Sequence, residues 1–194
     1  MFPELDAVAC RSLPFEHFTG RTKLPGNGNA WLDWLETDAP WKLTTAEFYE
    51  QYEFSLFGAS LPPVVRCLAS PETLTVLRRR MSECFRHQLS ERVEVTAHKL
   101  VPDQTIRIHN DYIAGGETHR LLLQLNRGWE PENGGYLMFF GGPEPETVSE
   151  VVEPINGSVQ AFAISPRSYH AVSTVRRGER FTLVYSFYPD SGCG

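Results

Sequence analysis

Long apolar runs are missing from this chain, and so is any excess of positive charge. No stretch approaches the ~20 apolar residues that cross a bilayer, so no membrane span is expected. Acids outnumber bases, leaving a net charge of −6. Nonspecific nucleic-acid binding is therefore not expected, because a phosphate backbone demands a basic face. Cysteine is scarce: Cys10, Cys67, Cys84 and Cys193 are far apart and form no CxxC pair. Met1–Cys10 contains acids and no apolar run, so no secretory leader is expected. Together these features point to a cytoplasmic, reducing setting with free thiols. The sequon Asn156-Gly157-Ser158 then reads as a turn. Internal repeats, low-complexity tracts and linkers are also lacking.

What is present suits one globular domain over residues 1–194. Hydrophobic residues make up 41% and charged residues 22%, which is ordinary for a chain able to bury a core. Two regimes divide it. Residues 1–91 read as a mostly helical cover. Ala30–Leu35 has helical apolar spacing after a Gly/Asn-rich start at 26–29. Thr44 or Thr45 is expected to cap a short helix through Phe48, Tyr49 and Tyr52. Ser70-Pro71-Glu72 opens the clearest helix, with Leu74, Leu77, Met81, Cys84 and Phe85 on one stripe.

From Arg92 the period changes to two. Val93, Val95 and Ala97 alternate with polar residues. Further short strands are expected at 105–109, 120–126, 136–140, 148–152, 158–164, 169–175 and 181–188. Turn signals separate them, among them Pro102-Asp103, Asn133-Gly134-Gly135 and Arg177-Gly178. Eight short strands without intervening helices imply a mainly β fold: a double-sheet jelly roll over 92–190, with the N-terminal helices packed on one sheet.

The chemistry-bearing residues fall on those strands. His109-Asn110-Asp111 is the one His-x-Asp of the chain. On a strand, residues i and i+2 share a face, so the imidazole and carboxylate project together. His170 on a late strand can add a third ligand. Two histidines and a carboxylate on one face of a metal suit non-haem Fe(II) and leave open positions. Arg180 follows His170 by ten residues across a hairpin. Its planar fork can grip the far carboxylate of a metal-chelated diacid. Arg176 and Arg177 compete for that role but flank Gly178 at the expected hairpin tip. Arg107 shares the face of His109 under the same alternation, which makes it a candidate for a substrate carboxylate.

His109-Asn110-Asp111, His170 and Arg180 resemble the HxD…H…R pattern of the Fe(II)/2-oxoglutarate-dependent dioxygenases, and more closely their prolyl-hydroxylase-like branch. Leu125-Asn126 followed by Trp129, Gly134-Gly135-Tyr136-Leu137 and Gly157–Phe162 resemble that branch too. The likeness runs from about Val93 to Tyr188. It implies a double-stranded β-helix and a metal triad of His109, Asp111 and His170. Arg180 is implied to bind 2-oxoglutarate, Thr182 to add a hydroxyl, and Leu122, Leu137 and Val172 to wall the co-substrate. Gln124 stands where relatives often carry a Tyr facing the co-substrate. The cofactor set is Fe(II), 2-oxoglutarate and O2, with succinate and CO2 as products.

The implied reaction is hydroxylation of an unactivated C–H bond of an amino-acid side chain, in a peptide, a protein, or a free or carrier-bound amino acid. Asp111 keeps the carboxylate that related halogenases replace to admit chloride. Two other classes remain: a cupin-like metal-binding jelly roll acting as isomerase or binder, and a non-catalytic β-sandwich. Cupins usually place more histidines near the first ligand, and a plain sandwich leaves the spacing of the four residues unexplained.

Overall fold

The computed structural model describes residues 10–24 and 28–190. Eleven strands form two antiparallel sheets among the described residues. The larger sheet contains β1 (His17–Arg21), β9 (Ser158–Ala163), β6 (His119–Gln124), β11 (Arg180–Pro189), β4 (Leu89–Leu100), β3 (Glu50–Ser55) and β2 (Lys42–Thr45), in that order. The smaller contains β5 (Ile106–His109), β10 (His170–Val172), β7 (Leu137–Phe140) and β8 (Val148–Val152). The double-sheet jelly roll expected from the strand pattern is the fold observed.

The larger sheet is apolar on one face and mixed on the other. Along β11, Phe181, Leu183, Tyr185 and Phe187 join a core cluster with Trp31, Leu32, Leu77 and Met81 of the helices. The alternate residues Arg180, Thr182, Val184 and Ser186 line a cavity between the sheets. A period of two thus sends one half of β11 to the helices and the other half to the cavity. The helices are α1 (Asn29–Thr37), α2 (Pro63–Arg66) and α3 (Pro71–Phe85). In α3 the Ser70 hydroxyl accepts a hydrogen bond from the Thr73 amide and Pro71 takes the first turn, as expected of a capped start. Gly28 precedes α1 in a left-handed conformation. Gly26 and Asn27 of the Gly/Asn-rich start lie outside the described residues.

Three expectations fail. Thr44 and Thr45 do not cap a helix. They end β2, and the chain turns into β3, pairing Thr45 with Glu50 and Leu43 with Tyr52. Phe48, Tyr49 and Tyr52 mimic a helical stripe, but Phe48 and Tyr49 sit in or beside the turn and Tyr52 on a strand that is also anchored to β4. Tertiary pairing overrides so short a pattern. The N-terminal region therefore contributes strands β1–β3 to both edges of the large sheet as well as the helices that cover it. Finally, Cys10 and Cys84 are not free thiols. They form a disulfide although they are 74 residues apart. Folding lays the segment before β1 beside the last turn of α3, and spacing along the chain carries no sign of that. Cys67 is free, and Cys193 lies outside the described residues. Among those residues, no helix is long and apolar enough to cross a membrane.

Candidate active site

The cavity between the sheets measures about 310 Å³. At one end stand His109, Asp111 and His170, whose potential ligand atoms all lie within 4.8 Å of one another. His109 ends β5, and β10 pairs with it so that His170 faces His109 directly. The two imidazole centroids are 4.2 Å apart.

Asp111 reaches the group differently from the strand alternation expected of His-x-Asp. The strand ends at His109, and Asp111 adopts a left-handed backbone with φ 56°. Asp is one of the few side chains that tolerate this conformation. The turn, rather than a pleat, swings its carboxylate back toward the histidines.

Proton positions follow from the surroundings. His109 Nδ1 lies 2.8 Å from the Arg107 carbonyl, and His170 Nδ1 lies 2.8 Å from the Ser168 carbonyl. A carbonyl only accepts, so each Nδ1 carries the proton and donates it. Each Nε2 is then left with a lone pair. His170 Nε2 faces Asp111 Oδ2 at 3.0 Å, and His109 Nε2 faces Oδ1 at 3.4 Å. Burial keeps His170 from taking a second proton readily, holding its pKa below the usual imidazole value. Lone pairs and a carboxylate converging in this way fit a divalent cation.

Arg120 is a participant the sequence reading passed over. Its guanidinium is 2.5 Å from Asp111 Oδ2 and also pairs with Glu117. Burial works against the charged form of Asp111. The Arg120 charge outweighs it and holds the carboxyl well below the usual carboxylate range. The signal was available: Arg120 alternates with Leu122 and Gln124 on the cavity face of β6.

Arg180, 3% exposed, also lines the cavity. Its Nε donates to the Gly135 carbonyl at 2.8 Å, and its Nη1 donates to Thr182 Oγ1 at 2.7 Å. Its Nη2 is buried and has no hydrogen-bond partner among the described residues. Burial alone lowers its pKa to about 10, so it stays charged at neutral pH. A buried, charged, partly unpaired guanidinium calls for an anion. Gly135 leaves room for it: a Cβ there would come within 2.9 Å of Arg180 Cδ and 3.2 Å of the Trp129 ring. Arg176 and Arg177 are exposed.

The other sequence candidates divide. Leu122, Leu137, Val172 and Thr182 line the cavity. Gln124 does not. It is fully buried beside the cavity, accepting from the Thr182 hydroxyl at 2.9 Å and donating to Gln160 Oε1 at 2.9 Å. It therefore fixes Thr182, which in turn fixes Arg180. Arg107 is turned away from the cavity and is exposed. A bulge in β5 explains this. Val172 and His170 pair with Ile106 and His109, so β5 carries one extra residue, and alternation no longer puts Arg107 beside His109.

Arg107 holds the turn between β2 and β3 instead. Its amide donates to the Phe48 carbonyl at 2.9 Å and its guanidinium to the Glu47 carbonyl. That turn stacks Phe48 on His109 at 4.2 Å and brings Tyr49 to the cavity. Gln51, Glu53 and His98 add polar groups to the same cavity. The hairpin was invisible in the sequence because its residues read as helix.

Residues 95–188 match the model of the 2OG-Fe(II) oxygenase superfamily. No curated protein matches the sequence. Among solved structures, a Pseudomonas putida prolyl-4-hydroxylase aligns with TM-score 0.72 and 22% identity, over 90% of this chain and 93% of its own. A Trichoplax adhaerens prolyl hydroxylase, solved with a hypoxia inducible factor oxygen degradation domain peptide fragment, aligns with TM-score 0.74 and 12% identity, over 90% and 84%. A viral collagen prolyl hydroxylase from Paramecium Bursaria Chlorella virus-1, solved with 2OG, aligns with TM-score 0.63 and 14% identity, over 89% and 96%.

Proposed function

We propose that this chain is a 2OG-Fe(II) oxygenase, the superfamily whose model residues 95–188 match, and that His109, Asp111 and His170 hold its iron while Arg180 binds the far carboxylate of 2-oxoglutarate. The enzyme class uses Fe(II), 2-oxoglutarate and O2. The substrate in this reading is an amino-acid side chain of a peptide, a protein, or a free or carrier-bound amino acid, hydroxylated at an unactivated C–H bond. Prolyl hydroxylases of the same fold, one of them solved with a peptide fragment, support that substrate class.

One observation carries the reading. The same cavity holds three converging ligand side chains and, apart from them, a buried guanidinium with an unpartnered N–H. A diacid with one carboxylate toward a metal and one toward Arg180 satisfies both.

Bound iron and 2-oxoglutarate supply the oxidising chemistry, with 2-oxoglutarate leaving as succinate and CO2. The protein supplies placement. The Arg107 and Ser168 carbonyls orient the two imidazoles, and Arg120 orients Asp111 and keeps it ionised. Thr182 and Gly135 aim Arg180. Leu122, Leu137, Val172 and Val184 provide dry walls that strengthen the charge pairing. Phe48 stacks on the His109 ring and limits its rotation. Because Asp111 retains its carboxylate, hydroxylation rather than chlorination is the expected outcome.

Without oxygen, adding Fe(II) and 2-oxoglutarate should produce the weak visible charge-transfer band of bidentate chelation. His170→Ala should abolish it. Arg180→Ala should keep iron binding but weaken 2-oxoglutarate roughly 100-fold, the usual scale for truncating one partner of a buried charge pair. Unchanged 2-oxoglutarate binding in Arg180→Ala, with loss in Arg176→Ala or Arg177→Ala, would show the wrong arginine was assigned.

A further inference from the structure

The cavity holds a second polar recess that neither the metal triad nor Arg180 uses. It is built on β3 and β4 from Gln51, Glu53 and His98, with Tyr49 beside it. Glu53 and His98 are register partners across the two strands. Gln51 Nε2 donates to Glu53 Oε2 at 2.9 Å and approaches His98 Nδ1 at 3.2 Å. Both amide hydrogens of Gln51 are thereby committed. Its carbonyl oxygen Oε1 is buried and has no donor among the described residues, although Gln51 is only 2% exposed and lines the cavity. The second oxygen of Glu53 accepts no hydrogen bond there either. Two free acceptors therefore face the recess, and one belongs to a carboxylate.

Charge balance points the same way. In the loaded site, a divalent ion, Arg120 and Arg180 face Asp111, Glu117 and the two carboxylates of 2-oxoglutarate, and these charges cancel. Glu53 is the carboxylate left over. His98 does not neutralise it: burial, then the positive charges of Arg120 and Arg180, lower the His98 pKa to about 3, and its Nε2 is 3.9 Å from Glu53. Lys42, the partner of Glu53 on β2, makes no ion pair with it. A buried acceptor without a donor and a carboxylate without a counter-ion each raise the free energy of the empty recess. A group that supplies N–H donors and positive charge relieves both.

We infer that Gln51 and Glu53 form the substrate-recognition subsite of this cavity, and that they select a substrate carrying a cationic nitrogen group, an alkylammonium or guanidinium, near the C–H bond that reacts. This rests on the oxygenase reading and narrows its substrate class to side chains of, or next to, lysine- or arginine-like residues. The amide oxygen and the carboxylate are two acceptors for one multi-donor cation, which suits the several N–H groups of either head.

The test uses the full chain loaded with Fe(II) and 2-oxoglutarate under anaerobic conditions. Calorimetry compares backbone-blocked lysine with blocked norleucine, and blocked arginine with blocked citrulline. At least one cationic member should bind about tenfold or more tighter than its neutral partner, the scale of one charge-assisted contact. Glu53→Gln should erase that preference while the chelation band stays as in the unsubstituted protein. Glu53 is partly exposed, so this near-isosteric change is compatible with folding, and the retained band confirms it. If cationic members bind no better than neutral ones, including no binding by either, the recess is a water site and the inference is overturned. It is also overturned if the preference survives in Glu53→Gln. A chelation band absent from the unsubstituted protein overturns the oxygenase reading and the subsite with it; a normal band without charge preference overturns the subsite alone.

Discussion

The two faces of the larger sheet share one backbone and do opposite work. On the helix side, Phe181, Leu183, Tyr185 and Phe187 close a dry core, and the phenol of Tyr185 donates to the Leu68 carbonyl at 3.1 Å. On the cavity side, Arg180, Thr182, Gln124 and Gln160 form a buried hydrogen-bonded line. Among the described residues, the buried side-chain polar atoms lacking partners belong to Gln51, Glu117, Arg120, Gln160 and Arg180. Each lies on the cavity side or beside it, and none belongs to the helix-packed stripe. Stability is concentrated on one face, which leaves the other free to hold polar groups awaiting a ligand.

If that division is real, the largest stability loss comes from the helix side. Phe187 is fully buried, and Phe187→Ala should cost about 3–5 kcal/mol in denaturant unfolding, with 2-oxoglutarate affinity unchanged in the folded fraction. An equal loss of affinity would mean the faces are coupled.

A pH effect of intermediate size should also arise on the helix side. His119 contacts the Phe85 ring and His87, and burial first, then His87, lowers its pKa from 6.5 to about 4. As pH falls from 6.5 to 4, the unfolded chain takes up a proton that the folded chain refuses, so stability drops in that window. The full contribution is on the order of 3 kcal/mol. His119→Gln should flatten this part of the pH–stability curve. A slope unchanged by the substitution would place the titration elsewhere.

The smallest effect should come from the cavity side. Gly135 has φ +66°, so Gly135→Ala brings backbone strain of about 1–3 kcal/mol. It also pushes on Arg180. Here 2-oxoglutarate affinity should fall together with stability, unlike in Phe187→Ala.

The strands from β4 onward were readable because short apolar or alternating runs stand between turn signals; β8 was placed at its observed bounds. The convergence of His109, Asp111 and His170 and the place of Arg180 in the same cavity were readable from their pattern along the chain, although a turn rather than a pleat brings Asp111 in. The hairpin of β2 and β3 was not, since a few aromatics fit helix and strand equally and pairing with β4 decides between them. Arg107 was misplaced for a related reason: alternation holds only until a bulge adds a residue, and that bulge exists only where β5 meets β10.

By itself, then, the sequence determined the jelly roll, its helical cover and the identity of the converging histidines, carboxylate and arginine, because periodicity and residue chemistry are local properties. Only the tertiary structure decided that Arg120 is the partner of Asp111, that Gln124 braces Thr182 rather than lining the cavity, that Cys10 meets Cys84, and that Gln51 and Glu53 present free acceptors to the site. Each of these depends on which groups from distant strands meet across a space that excludes water, and spacing along one strand does not encode that meeting.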